Sequence, residues 1–369
     1  MDSTPDAGRP SVVLHIDLDA LVANYRALVQ ACEGASVAAV VKADAYGLGV
    51  APIADALVEA GCDDFFVSSV AEGLALRTCV PTGRIFVLAG ATDVPETCVR
   101  ARLVPVLNTA EEIRVWVACG EGLAAAIQID TGMTRAGLNW QEVQALCAHP
   151  PVWERLHLCL VMTHLACADT SLAVMNEMQR ADFEVICGLL PKAPTSLSNS
   201  AGVLLGRAYH GDLVRPGLAL YGLKVSDAPQ KLQPVVRLEA RVLQIREVRD
   251  DVSIGYGATA WLSAPARIAT IGVGYADGYP RALGNKGEVV VAGVRVPIVG
   301  RVSMDLATID ISALAVDAVA VGDMVELVGA TLSWEEVAHW AETINYELLT
   351  RLSARIPRLY RWHGHAVTF

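Results

Sequence analysis

The 369 residues are 53% hydrophobic and 19% charged, a composition that excludes an intrinsically disordered chain. The formal net charge is −11 at pH 7, so we do not expect a general nucleic-acid binder, which would normally present a basic face. No apolar run approaches the roughly 20 residues of a membrane span, and the first ten residues lack the pattern of a secretory leader.

Short β-branched runs alternate with amphipathic stretches from residue 11 to about residue 235. The first run, residues 12–16, is followed by Asp19 as a helix cap and by apolar residues at helical spacing. Later strand candidates are 37–41, 65–67, 85–88, 104–106, 124–129, 156–162, 195–198 and 212–214. These are one strand too many for an eight-stranded barrel. A parallel βα repeat of this length nevertheless predicts a (β/α)₈ TIM-type barrel.

The pattern changes after Pro234. Short alternating strands separated by Gly and Pro replace the helix-length patterns, which predicts a mostly-β domain. Its candidate strands are 237–248, 267–274, 288–298, 305–311 and 324–328, and a capping box at 333–336 predicts one short helix. We therefore predict two domains, a barrel over residues 1–235 and a C-terminal mostly-β domain over residues 236–369.

The nine cysteines lie between Cys32 and Cys187, mostly within Ala- and Val-rich runs, and none forms a C-x-x-C pair. An odd number of cysteines in apolar runs favours buried reduced thiols over a disulfide framework or a zinc site. We therefore expect a cytoplasmic protein without a bound metal.

Lys42 differs from the other four lysines because it directly follows an apolar strand candidate. A lysine at the end of a barrel strand is partly desolvated, which lowers its pKa and suits it to Schiff-base chemistry. A lysine that merely extends its ammonium group past the strand end is an equally good interpretation of the position alone.

Two segments late in the barrel have the features of a phosphate site. Residues 199–202 follow a strand and open a short helical stretch, so that Ser200 offers a hydroxyl beside backbone N–H groups. Residues 215–218 follow the next strand, and Gly217 allows the backbone to approach an anion closely. Barrels often bind phosphate at the loops after strands seven and eight. A plain helix cap is the alternative for Ser200.

Seven segments resemble, in the same order, the alanine racemase family. They are Val40-Val-Lys-Ala-Asp-Ala-Tyr-Gly-Leu-Gly49, Asp130-Thr-Gly-Met-Thr-Arg135, Thr163-His164, Asn199-Ser-Ala201, Val214-Arg-Pro-Gly-Leu218, Gly274-Tyr-Ala-Asp-Gly278 and Gly300-Arg-Val-Ser-Met-Asp305. The resemblance implies a homodimeric isomerase, built from a barrel and a β domain, that interconverts L- and D-alanine with pyridoxal 5′-phosphate. Whether it supplies D-alanine for peptidoglycan or degrades it stays open, as does activity on serine.

The resemblance also implies where the cofactor is held. Lys42 would carry it covalently, and the residues at its phosphate would be Tyr46, Ser200, Gly217 and Leu218.

Arg215 would face the pyridine nitrogen of the cofactor, and His164 would pack beside the ring. Because an arginine remains protonated, the ring nitrogen would stay unprotonated and the ring would be a weak electron sink. That favours return of a proton to Cα over transamination or decarboxylation. Arg135 would contact both cofactor and substrate.

Racemization needs one group that removes a proton and another, across the substrate plane, that returns one. The resemblance implies that Lys42 serves D-alanine and Tyr275 serves L-alanine. Tyr275, Met304 and Asp305 would reach into the site from the partner subunit. Taken alone, residues 274–278 are more typical of a β-turn, since Asp-Gly is a common turn dipeptide.

Two positions depart from the family pattern. Gln128 stands where many members carry a lysine, carbamylated in some, and a neutral amide there would have to orient Arg135 instead. Ala354 aligns with a phosphate-binding tyrosine of some members, so that one hydroxyl contact is lost or comes from elsewhere.

Two other functions share parts of this pattern. Decarboxylases of the same barrel-plus-β fold use an acidic residue at the ring nitrogen. Arg215 therefore argues against a decarboxylase. Single-barrel proteins that carry pyridoxal phosphate lack a second domain. The predicted domain at residues 236–369 therefore argues against such a carrier protein.

Overall fold

The fold is described from a computed structural model that covers residues 10–90, 93–120, 122–226 and 232–369. These residues form two compact units. One unit contains the described residues through Asp19 together with Pro234–Thr368, and the other contains Ala20–Gln233. No helix in the described ranges is long and apolar enough to cross a membrane.

The elements up to residue 233 begin with strand β1 (Val12–Asp17) and helix α1 (Leu18–Ala31). The strands that follow are β2 (Ser36–Val37), β3 (Ala39–Val40), β4 (Asp64–Val67), β5 (Arg84–Val87), β6 (Leu103–Leu107), β7 (Ala124–Gln128), β8 (His157–Met162), β9 (Thr195–Ser196) and β10 (Leu213–Val214). The helices between them are α2 (Lys42–Gly47), α3 (Val50–Glu59), α4 (Val70–Arg77), α5 (Pro95–Arg100), α6 (Ala110–Cys119), α7 (Trp140–Cys147), α8 (Pro151–Arg155), α9 (Val174–Cys187) and α10 (Ser200–Leu204).

The strands β2 to β10 close into a parallel barrel. β3 to β9 form one sheet in sequence order, and β10 pairs with β2, which continues into β3 after Ala38. The N–H of Arg215 donates to the carbonyl of Ser198 (2.9 Å), which joins the segments of β9 and β10. Counting β2 and β3 as one interrupted strand gives eight strands, so the predicted barrel is confirmed. Strands β4 and β6 are buried at every residue, as expected for strands covered on both faces.

The remaining elements form the β unit. Its strands are β11 (Val236–Val248), β12 (Val252–Ile254), β13 (Ala260–Leu262), β14 (Ala266–Ile271), β15 (Glu288–Val291), β16 (Val294–Pro297), β17 (Ala307–Asp310), β18 (Met324–Val328), β19 (Arg358–Trp362) and β20 (His365–Val367). The main sheet has the order β16-β15-β18-β11-β1-β19-β20, and β14 pairs with β11 and β17. The helices are α11 (Trp334–Trp340) and α12 (Asn345–Thr350).

The predicted mostly-β domain and the capping box at Ser333 and Glu336 are confirmed. Residues 288–298, predicted as one strand, form the hairpin β15–β16. Ala292 (φ 50°) and Gly293 (φ 75°) turn the chain there, and positive φ at both central residues is typical of a tight hairpin turn. Helix α12 was not predicted.

The prediction is wrong for β1, which is not a barrel strand. It pairs antiparallel with β11 and parallel with β19. Residues 10–19 therefore belong to the β unit and not to the barrel domain predicted over 1–235. An apolar, β-branched run suits either sheet, and nothing in its local pattern specifies its pairing partners. Removing β1 from the nine candidates leaves the eight strands of the barrel.

Candidate active site

Lys42 is the first residue of α2 and follows the end of a barrel strand. Its side chain is half-buried, and desolvation lowers its pKa. The positive charge of Arg135 lowers the pKa further, whereas the negative charge of Glu72 raises it. A lowered pKa increases the fraction of neutral amine, which is the form that attacks a carbonyl group.

The four residues after Lys42 form a left-handed turn. Residues 43–46 have φ values between 52° and 59°, and none of them is glycine. Each such residue costs about 1–2 kcal/mol, so contacts around the turn must hold it. The N–H of Ala45 donates to the carbonyl of Val41 (2.9 Å), and the N–H of Val50 donates to the carboxylate of Asp44 (2.7 Å).

Glu72, which the sequence reasoning did not single out, connects this turn to the next strand. Its Oε1 accepts the N–H of Ala43 (2.9 Å), and its Oε2 accepts the N–H of Ser68 (2.7 Å). The one feature of the sequence that points to Glu72 is Ser69, three residues before it. This spacing is typical of an ordinary capping box. The hydroxyl of Ser69 does accept the N–H of Glu72 (3.3 Å), but the carboxylate bonds beyond its own helix cap.

Ser200, Gly217 and Tyr46 lie together where the loops after β9 and β10 meet the left-handed turn. The hydroxyl of Ser200 accepts the N–H groups of Gly217 (2.8 Å) and Ala219 (3.2 Å), which leaves its own hydrogen to donate. A Cβ on residue 217 would lie 2.2 Å from the hydroxyl oxygen of Tyr46, so any side chain there would displace this buried ring. Leu218 is buried directly beside this contact.

Arg215 is a deeply buried cation that is only 4% exposed. Its guanidinium donates to the carbonyl of Thr163 (2.7 Å) and to the hydroxyl of Ser196. Burial lowers the pKa of Arg215 to about 9, so it still carries its proton at pH 7. Among the described residues no carboxylate forms an ion pair with it. A buried cation with only neutral acceptors is costly, which indicates a functional reason to keep it there.

His164 lies two residues after the end of β8, near this arginine. Its Nε2 lies 3.4 Å from the side-chain amide nitrogen of Asn199, which can donate to a neutral imidazole. Desolvation, followed by the positive charges of Arg215, Arg135 and Lys42, lowers the pKa of His164 to about 3. The imidazole is therefore neutral at pH 7.

Gln179 of α9 is a second residue that the sequence reasoning missed. It is fully buried, and its amide nitrogen donates to the carbonyl of His164 (3.0 Å) and to the hydroxyl of Thr131 (3.3 Å). The hydroxyl of Thr131 in turn pairs with that of Thr163 (2.8 Å), whose carbonyl receives Arg215. Gln179 thus supports the backbone that positions both His164 and Arg215.

Arg135 lies exposed in the loop after β7, close enough to lower the pKa of Lys42 and His164. Gln128 does not form the hydrogen bond to Arg135 that we considered. Its amide nitrogen donates instead to the carbonyl of Ala136 (2.9 Å), so it supports the backbone of this loop.

Tyr275, Met304 and Asp305 come together within the β unit. Tyr275 opens a short turn and is 45% exposed, and its N–H donates to the carbonyl of Ser303 (3.0 Å). A Cβ on Gly274 would lie 2.2 Å from the carbonyl oxygen of Met304, so glycine is needed for this close approach.

Arg355 fixes the two acidic residues of this cluster. It donates to Asp277 (2.7 Å) and to Asp305 (2.8 Å), while Asp277 also accepts the N–H of Gly274 (2.9 Å). Ala354, the second departure from the family pattern, is exposed in the turn just before Arg355. The exposed Tyr275 therefore lies in a turn that is held by the hydrogen bonds of Arg355 and Asp277.

Both halves of the chain match known domains. Residues 16–225 match the alanine racemase N-terminal domain, and residues 235–360 match the alanine racemase C-terminal domain. This chain belongs to the alanine racemase family.

Relatives in this family are similar over nearly their whole length. The catabolic alanine racemase of Agrobacterium fabrum is 45% identical over 96% of this chain and 93% of its own. The alanine racemase of Rhodospirillum rubrum is 44% identical over 95% of this chain and 96% of its own.

Solved structures of alanine racemases share the fold. The enzyme from Bartonella henselae, crystallised with covalently bound pyridoxal phosphate, matches 96% of this chain and all of its own, with a TM-score of 0.92 and 38% identity. The biosynthetic enzyme from Pseudomonas aeruginosa also matches 96% of this chain and all of its own, with a TM-score of 0.89 and 35% identity. This alanine racemase homologue is thus an amino-acid racemase by family and by fold.

Proposed function

We propose that this chain interconverts L-alanine and D-alanine with pyridoxal phosphate bound in the barrel unit. The observation that carries the proposal is Lys42, a half-buried amine of lowered pKa at the end of a barrel strand. Neutral lysines in such places form covalent links with carbonyl groups. The relatives named above are alanine racemases, which supports the choice of substrate.

The residues present fit this cofactor. Lys42 supplies the amine, and Ser200 supplies a hydroxyl next to the backbone of Gly217. Tyr46 and Leu218 would complete the contacts with the phosphate. When bound, the cofactor supplies a conjugated ring that accepts electron density from the Cα–H bond of the amino acid.

Arg215 would limit the reaction to racemization. A protonated guanidinium donates hydrogen bonds and accepts none, so a ring nitrogen held next to Arg215 would stay unprotonated. More of the negative charge would then stay on Cα, which would favour return of a proton there over transamination or decarboxylation. His164 is neutral and therefore adds no second positive charge at this position.

Lys42 and Tyr275 would act on opposite faces of the substrate. Lys42 would exchange the α-proton of D-alanine, and Tyr275 that of L-alanine. A phenol that is 45% exposed on the β unit is available to another chain, so we place Tyr275 in the active site of the partner subunit of a homodimer. Met304 and Asp305 would accompany it, and Arg135 would bind the carboxylate of the substrate.

Following the optical activity of L-alanine with the purified protein and pyridoxal phosphate tests this function. We expect the circular dichroism signal to decay to zero at constant total alanine, with D-alanine seen by chiral chromatography. Release of carbon dioxide would indicate a decarboxylase. A stable signal in protein that binds the cofactor would indicate a carrier and contradict the proposal.

A further inference from the structure

We propose that Glu72 is a positioning residue, whose carboxylate fixes the left-handed turn after Lys42 and places a negative charge beside the Lys42 amine. This inference rests on the proposed function of Lys42. It assigns a task to a residue outside the cofactor-binding loops.

The first support is the strain of the turn. Four consecutive non-glycine residues, 43–46, hold left-handed φ values, a conformation that persists only where surrounding contacts determine it. The bonds made by Ala45 and Asp44 stay within the segment from Val41 to Val50. The carboxylate of Glu72, in contrast, belongs to a different barrel helix and accepts the first N–H of the turn.

The second support is a comparison with Glu112, which occupies the same position at the start of α6. The Glu112 carboxylate accepts the N–H groups of Asn108 and Thr109, both at the beginning of its own helix. The Glu72 carboxylate divides its two oxygens between Ser68, before its own helix, and Ala43, after the preceding strand. Glu72 thus couples the ends of β3 and β4, whereas the hydrogen bonds of the Glu112 carboxylate to the described residues stay at the start of its own helix.

The third support is charge. The charged groups that act on the Lys42 amine are Arg135 from the loop after β7 and Glu72 from α4, while the nearby His164 is neutral. Arg135 and desolvation lower the pKa of Lys42, and Glu72 opposes them. Loss of the Glu72 charge should therefore lower this pKa further, because a nearby negative charge favours the protonated amine.

Three variants of the full-chain holoenzyme separate these effects. Glu72→Gln removes the charge and leaves one acceptor for two N–H donors. Glu72→Asp keeps the charge on a side chain that is one methylene too short to reach both amides. Glu112→Gln is the matched control, because it weakens a glutamate cap of the same barrel without contacting the turn.

The first measurement is hydrogen–deuterium exchange in peptides that cover residues 43–50, by mass spectrometry. We expect exchange to be about tenfold faster in Glu72→Gln and in Glu72→Asp, because Ala43 and Ser68 no longer each have a carboxylate oxygen within reach, and unchanged in Glu112→Gln. Wild-type exchange in both Glu72 variants, or the same acceleration in the control, would overturn the positioning role.

The second measurement is the pH dependence of kcat with D-alanine, whose acidic limb reports the proton on the Lys42 amine in the substrate complex. We expect this limb to move to lower pH by about half a unit in Glu72→Gln and to stay in place in Glu72→Asp and Glu112→Gln. A limb that moves equally in both Glu72 variants, or in neither, would overturn the charge effect.

Borohydride trapping of the bound cofactor, followed by peptide mapping, tests the assignment of Lys42 independently. A cofactor found on another lysine would refute the proposed function of Lys42, while the exchange data would still decide whether Glu72 holds the turn.

Discussion

The hydroxyl oxygen of Tyr46 lies 2.2 Å from the position that a Cβ of residue 217 would occupy. This contact joins the end of the left-handed turn to the loop after β10. Ser200 holds the same loop, because its hydroxyl accepts the N–H of Gly217. The absence of one side chain therefore allows three separate segments of the barrel to meet where we expect the cofactor phosphate.

Gly217→Ala should weaken cofactor binding by about tenfold or more, because an added methyl that overlaps Tyr46 costs about 1–3 kcal/mol. Titration of the apoprotein with pyridoxal phosphate, followed by absorbance, measures this. Gly120→Ala is the control, since a Cβ there would meet only the Leu123 side chain at 3.4 Å. Equal affinities for the two variants would refute the role of the close approach.

Lys42→Ala should abolish the borohydride-stable link between protein and cofactor, together with nearly all racemization. The physical reason is that Lys42 combines partial burial with a lowered pKa at a strand end. Mass spectrometry after reduction gives the readout, with Lys192→Ala, an exposed lysine after α9, as the control. A reduced adduct at another lysine in Lys42→Ala would show that the assignment is wrong.

His164 should make the fold sensitive to acid. Its pKa is lowered to about 3 in the folded chain, while an unfolded histidine titrates near 6.5. Its contribution to stability is therefore present above pH 6.5 and is lost progressively as the pH falls towards 3.

Between pH 6.5 and 4.5, the free energy of unfolding should fall by about 2 kcal/mol more in the wild type than in His164→Gln. Urea unfolding at fixed protein and cofactor concentrations measures the difference. His157→Gln removes an exposed imidazole of β8, the strand that precedes His164, and is the control. If His164→Gln lost as much stability as wild type, the histidine would not be buried in its neutral form.

Tyr275→Ala should nearly abolish racemization while leaving exchange of the α-proton of D-alanine in deuterated water. Lys42 serves that face, and the L-isomer should hardly exchange. Nuclear magnetic resonance of each isomer gives the two rates. Tyr256→Ala is the control, because Tyr256 also opens a short turn of the β unit and is exposed. Equal exchange of both isomers by Tyr275→Ala would contradict the two-base division.

Mixing inactive Lys42→Ala and Tyr275→Ala proteins should restore activity. In a mixed dimer, one of the two sites has both native groups, so random pairing gives at most about a quarter of wild-type activity. The measurement is racemization before and after verified subunit exchange. No recovery would place Tyr275 outside the site of the partner subunit.

The barrel could be predicted because its strands are apolar and its helices are amphipathic, and both are local patterns. The pairing of β1 could not, because its partners β11 and β19 are distant in sequence and its own residues suit either sheet. The hairpin at residues 292 and 293 was missed for a different reason. Ala292 takes a left-handed φ that its residue type does not indicate.

The same distinction applies to the site. Lys42, Ser200 and Gly217 follow predicted strands, and the chemistry of each residue type suggests its use. Glu72 and Gln179 lie on helices, where a first-turn glutamate is typical of a cap and a glutamine is typical of solvent exposure. Their hydrogen bonds to the turn and to His164 exist only once separate βα units have packed together.

The position of β1 between β11 and β19 has a consequence for biosynthesis. The main sheet of the β unit needs a strand from the start of the chain and another from close to its end, so β1 leaves the ribosome long before its parallel neighbour exists. The barrel strands, in contrast, pair mostly with their successors and can form as they emerge. A recombinant fragment that starts at residue 236 would lack an internal strand and expose the edges of β11 and β19 to aggregation.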